Sequence, residues 1–173
     1  WVSLIYKYKG DDNGYPFFYD CEVIYSLQKG NRLTIQTNIT NTGKTSLPIA
    51  DGWHPYFTFH KKVDELELQF YSTSMLEFVN LIPTGTLIPS KAFITPHLIG
   101  NRDIDNSFIL DFTASQPMCT LKDSASHWQL EISPDQSYPY LQIYIPPHRN
   151  SIAIENLSAP PDAFNNKIGL TVL

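Results

Sequence analysis

The chain has 173 residues, 42% of them hydrophobic, and a formal charge of −5. That length supports one domain with its own core, and the acidic balance argues against nucleic acid or an anionic membrane as main partner. Two cysteines, Cys21 and Cys119, are too few for a disulfide scaffold and lack CxxC spacing, so they read as reduced packing residues of a cytoplasmic protein. No apolar run approaches the ~20 residues of a membrane span.

Thirteen Pro, ten Tyr and ten Phe favour strands and turns over helices. In chain order, the first clear alternation is "RLTIQTNIT" (32–40), with Leu33, Ile35 and Ile39 on one face and Thr34, Gln36, Asn38 and Thr40 on the other. "ELELQF" (65–70) sets Leu66, Leu68 and Phe70 against Glu65, Glu67 and Gln69. "HWQLEI" (127–132) sets Trp128, Leu130 and Ile132 against Gln129 and Glu131, and "YLQIYI" (140–145) sets Leu141, Ile143 and Ile145 against Gln142 and Tyr144. Side chains alternate across a strand, so each segment reads as a strand with one buried face.

Turn signals separate them: "KGDDNGYP" (9–16), "QKGN" (28–31), "NTGKTS" (41–46), "PTG" (83–85), "SPDQS" (133–137) and "PPHRN" (146–150). Each combines the Gly, Pro, Asn and Asp residues that turns demand. No amphipathic helix exceeds two turns. The expectation is an all-β fold, a large antiparallel β-sandwich or barrel, with residues 1–173 forming a single domain. The chain opens on Trp1 and closes on the strand-like "KIGLTVL", which reads as a fragment trimmed at both ends. The Asn38–Thr40 and Asn156–Ser158 triplets fit the glycosylation pattern, but both lie in or beside expected strands and read as chance.

Four residues carry candidate chemistry. His54, in "ADGWHPYF" (50–57), opens an aromatic segment, and Pro55 biases it to an extended backbone that fixes its direction. Histidine exchanges protons near neutral pH; the plain alternative is a core-edge histidine bonded to backbone. Glu155, in "SIAIENL" (151–157), shares a strand face with Ala153, opposite Ile152 and Ile154. Burial there raises a carboxyl's pKa towards that of a useful base; a solvated strand face is the alternative. Gln142 stands between Tyr140 and Tyr144, and amides among aromatics suit sugar hydroxyls or simply the outer face of a sheet. "NRDIDNSFIL" (101–110) offers Asp103 and Asp105 where a loop enters a strand, and local sequence does not choose between them. The histidines lack metal-ligand spacing, with no HExxH, so neither a metal nor another cofactor is expected. GxSxG and phosphate-cradling glycine loops are absent.

Taken together, the segments resemble the aldose 1-epimerase (galactose mutarotase) family. "GYPF" (14–17) with "VIYSL" (23–27), "LTIQTNITNTGKTSLPIADGWHPYF" (33–57), "IDNSF" (104–108), and "YLQIYIPP" with "SIAIENLSAPPDAFN" (140–165) carry the match in order. The resemblance implies the galactose mutarotase-like supersandwich, lacking N-terminal strands and the last C-terminal strand. It implies a cofactor-independent isomerase that interconverts the α and β anomers of a free aldohexose such as galactose or glucose. His54 would be the catalytic acid and Glu155 the catalytic base, with Asp105 and Gln142 binding substrate. The family's further histidine and arginine would precede the tryptophan that Trp1 matches. Asn156 stands where many relatives carry Pro. A hexose-6-phosphate 1-epimerase of the same superfamily and a non-catalytic carbohydrate-binding β-sandwich are the competing expectations.

Overall fold

The computed structural model describes all 173 residues. The chain divides into two compact units, residues 1–49 with 171–173, and residues 50–170. In the first unit β1 (Val2–Lys9), β2 (Phe18–Gln28) and β3 (Arg32–Asn41) form an antiparallel sheet in chain order. β4 (Pro48–Ile49) pairs with β15 (Thr171–Val172). The alternation expected in 32–40 is a strand, but Leu33 (56% exposed) and Ile35 stand open, and Ile39 is half-buried.

In the second unit β5 (Tyr56–Phe57), β6 (Glu67–Phe70), β7 (Ser72–Val79), β8 (Ile82–Pro89), β9 (His97–Leu98), β10 (Asp105–Leu110), β11 (Cys119–Asp123), β12 (Trp128–Ile132), β13 (Tyr140–Tyr144) and β14 (Ile152–Leu157) build two sheets. One has six strands in the order β5-β14-β13-β10-β7-β8, the other four in the order β12-β11-β6-β9. All ladders are antiparallel. Helix is confined to a 3-10 turn, Val63–Glu65, and one turn of α1 (Ala163–Asn166). No helix is long and apolar enough to cross a membrane.

The two sheets share one core, which makes the antiparallel sandwich. Leu66, Leu68, Phe70 and Leu121 meet Phe108, Leu141, Ile143, Ile152 and Ile154 in a single buried cluster. Leu66, Leu68, Phe70, Leu141 and Ile143 are apolar positions of the period-two patterns, turned inward because removing their area from water stabilises the fold by ~25 cal/mol per Å². The expected inward set of β12 fails at Trp128, which is 73% exposed. It pairs with Asp123 at the end of the ladder, on the edge strand of the sheet.

The turn expected at 83–85 lies instead within β8. The chain reverses at Asn80 and Leu81, both at positive φ (51° and 66°), between the paired Val79 and Ile82. Two such residues make the tight hairpin whose twist matches the strands. Gly85, at φ 88°, then falls in β8 close to a register shift. Pro83 and Pro89 are tolerated because β8 is an edge strand.

Candidate active site

The site lies on the six-stranded sheet. Gly52 bridges to Leu157, and Tyr56 pairs with Ala153, so the segment between them runs along β14 and His54 falls opposite Glu155. Backbone bonds hold it there: Trp53 N–H donates to the Asn156 carbonyl (3.1 Å) and Ser158 N–H to the Asp51 carbonyl (2.8 Å). Gly52 permits this approach, because a Cβ there would collide with Leu157 Cδ2 and lie 3.2 Å from the Asn156 oxygen. Across the next ladder Glu155 pairs with Gln142, and Asp105 pairs with Tyr144.

Four side chains therefore line one cavity of about 360 Å³: His54, Asp105, Gln142 and Glu155. They form two contacts. His54 Nε2 stands 3.2 Å from Glu155 Oε1, and Gln142 Nε2 donates to Asp105 Oδ1 at 2.8 Å. Glu155 is buried, 7% exposed. Burial pushes its pKa above the usual carboxylate range; the nearby Asp105 charge adds to this and His54 opposes it. The His54 side chain is 56% exposed, so the aromatic segment does not enclose it. Its ring instead stacks on Tyr56, centroids 5.0 Å apart.

A sequence model of the family described as aldose 1-epimerase matches residues 1–173. The chain belongs to the aldose 1-epimerase family. The uncharacterized protein YihR of Escherichia coli K12 is 26% identical over 92% of this chain and 53% of its own length. A galactose mutarotase-like protein of Clostridium acetobutylicum superposes with a TM-score of 0.85 at 15% identity, over 99% of this chain and 57% of that one. Galactose 1-epimerase from Lactobacillus acidophilus gives 0.74 at 19%, over 92% and 54%. These structures share the fold. The chain spans about half the length of the relatives it matches.

For this member of the aldose 1-epimerase family, the structure separates what local sequence left joined. Asp105 begins β10 and faces Gln142, whereas Asp103 pairs with Arg149 (3.2 Å). Of the two tyrosines beside Gln142, Tyr144 lines the cavity. Tyr140 packs against Gly169, where an added Cβ would meet its ring at 2.7 Å. Sequence reasoning missed Leu157 and Pro161, which also line the cavity; both lie in the quoted closing segment, whose period-two signal marks Leu157 only as an alternate position. The turn expected at 146–150 is present, closed by Arg149 N–H on the Pro146 carbonyl (2.8 Å). Arg149 there is a clamp, bonded to Asp64 (2.6 Å) and to the Gly100 carbonyl (2.7 Å).

Proposed function

We propose that the protein is an aldose 1-epimerase acting on a free, unphosphorylated aldohexose such as galactose or glucose. The observation that carries this reading is the contact between His54 Nε2 and Glu155 Oε1 (3.2 Å) beside the Gln142–Asp105 pair. Anomer exchange moves one proton off the C1 hydroxyl and another onto the ring oxygen. Both oxygens are bonded to the same carbon, so the base and the acid must stand within a few ångströms of each other.

Glu155, ionised, takes the C1 hydroxyl proton. The C1–ring-oxygen bond breaks, its electron pair stays on the ring oxygen, and protonated His54 gives that oxygen a proton. The open-chain aldehyde turns about C1–C2. Closure from the other face returns the ring-oxygen proton to His54 and the Glu155 proton to the C1 oxygen. Burial suits Glu155 to this work because a carboxylate with a raised pKa is a stronger base. Asp105 and Gln142 hold sugar hydroxyls and fix the pose. Tyr144 offers a ring face to the sugar's C–H groups.

Two carboxylates at the cavity, Glu155 and Asp105, repel a phosphate, which favours the neutral sugar over a hexose 6-phosphate. The test is polarimetry on freshly dissolved α-D-galactose and α-D-glucose. The protein should speed the approach to equilibrium, and His54→Asn and Glu155→Gln should each lose at least ~10²-fold of that rate. Acceleration of glucose 6-phosphate alone would move the assignment to the phosphorylated substrate. Saturable sugar binding without acceleration would leave a binding module.

A further inference from the structure

The four-stranded sheet carries a second hollow on its outward face, about 270 Å³, near the small end of ligand clefts (~300–1,000 Å³). The ladders set Gln69, Thr120 and Glu131 in one row across it, and Glu67, Lys122 and Gln129 in the next. Tyr71, Pro96 and Pro117 complete its wall. Although they face outward, Glu67, Gln69, Thr120 and Lys122 are half-buried.

Several of these groups are tied at one atom and open at another. Ser124 Oγ donates to Glu67 Oε1 (2.7 Å), Gln129 Nε2 donates to Glu131 Oε1 (2.6 Å), and Gln69 Nε2 donates to the Ile94 carbonyl (2.9 Å). The ties orient each group and leave an acceptor open: the second carboxylate oxygen of Glu67 and Glu131, and the amide oxygen of Gln69 and Gln129. Lys122 sits directly across from Glu67, where opposite charges ordinarily pair. Its ammonium nonetheless joins none of the ion pairs in the structure, so its donors remain available.

Oriented acceptors thus flank a free donor across neighbouring strands ~4.8 Å apart. A ring of hydroxyls, each both donor and acceptor, complements that pattern. Two carboxylates oppose an anion, and the ammonium between them opposes a simple cation. We propose that this hollow binds one neutral pyranose unit, a second carbohydrate site apart from the His54 cavity. The role proposed for it is binding alone.

The test is to titrate ¹⁵N-labelled protein with methyl β-D-galactopyranoside and methyl α-D-glucopyranoside and follow ¹H–¹⁵N spectra. Locked glycosides cannot open, so the spectra report binding alone, whether or not the protein proves to be an epimerase. Saturable shifts are expected at the backbone amides of Thr120, Lys122 and Gln129 and at the side-chain amides of Gln69 and Gln129. Lys122→Met and Gln129→Met should each weaken this binding about tenfold, the scale of one lost polar contact. Neither should change any mutarotation rate. Shifts confined to the His54 cavity, or shifts at the hollow that persist unchanged in both variants, would overturn the proposal. So would a response to inorganic phosphate but to neither glycoside.

Discussion

His54 stands directly across from Glu155, although the backbone at His54 is not strand. The ladder is pinned on one side by Gly52 with Leu157 and on the other by Tyr56 with Ala153. Pro55 has no N–H to give, yet its carbonyl accepts from Ile154 (3.4 Å), so the segment is held through the proline. His54 and Glu155 are thus brought together by one strand-to-segment register rather than by flexible side-chain reach.

Gly52→Ala should break that register. The added methyl meets Leu157 Cδ2 and the Asn156 carbonyl, and overpacking of this kind costs about 1–3 kcal/mol. Shifting His54 by a fraction of the contact distance should lower the mutarotation rate by ~10–100-fold while circular dichroism shows a folded β-protein. A rate equal to wild type would show that the close approach is not what aligns the pair.

Glu155→Gln should lose activity without losing stability. The carboxyl's pKa is raised in the folded protein, chiefly by burial. The folded state therefore holds a proton that the unfolded chain releases, and stability falls as pH rises from the ordinary carboxylate range (about 4) through the raised value. The neutral amide avoids this loss. Thermal melts should place the variant at or above wild type at pH 7, with that advantage fading towards pH 4. A variant that melts well below wild type at pH 7 would mean that the His54 contact outweighs burial.

Arg149→Ala should destabilise by about 2–4 kcal/mol, because Asp64 and the Gly100 carbonyl would lose a charged donor in a partly buried setting. Arg149→Lys should recover little, since one ammonium cannot reproduce contacts that spread over Asp64, Asp103 and two carbonyls. Urea denaturation of the three proteins checks this, and a lysine variant as stable as wild type would count against the clamp.

Asp123 should govern acid tolerance of the four-stranded sheet. Ser126 Oγ donates to it at 2.6 Å and Lys61 Nζ at 3.0 Å, and these bonds hold its carboxyl down to about 2. Stability from a depressed carboxyl is present above its ordinary pKa and is lost as pH falls through the depressed one. Asp123→Asn should melt below wild type at pH 7, and the two curves should converge towards pH 2. A gap that stays constant from pH 7 to pH 2 would show that the charge is not the stabilising element.

Strand character, and which residues face inward on β6 and β13, could be read from the residues alone, because a period of two in apolar residues has one solution when one face must leave water. The sequence also singled out His54 and Glu155, whose residue types are unusual in apolar surroundings. Local alternation left Asp103 and Asp105 open, and the resemblance pointed to Asp105; the folded chain sets Asp105 beside Gln142 and Asp103 beside Arg149, and it alone separates Tyr140 from Tyr144. Those choices depend on which strand lies alongside, and ladder partners can lie about a hundred residues apart or more, as Gly52 and Leu157 or Pro48 and Val172 do. The same holds for Trp128 and Leu33: alternation gives each a face, but burial depends on whether another element covers that face. The turn at Asn80–Leu81 was hidden for a different reason. Leucine rarely takes positive φ, so the nearby Pro-Thr-Gly drew the reading to itself, while the hairpin was fixed by the pairing of Val79 with Ile82.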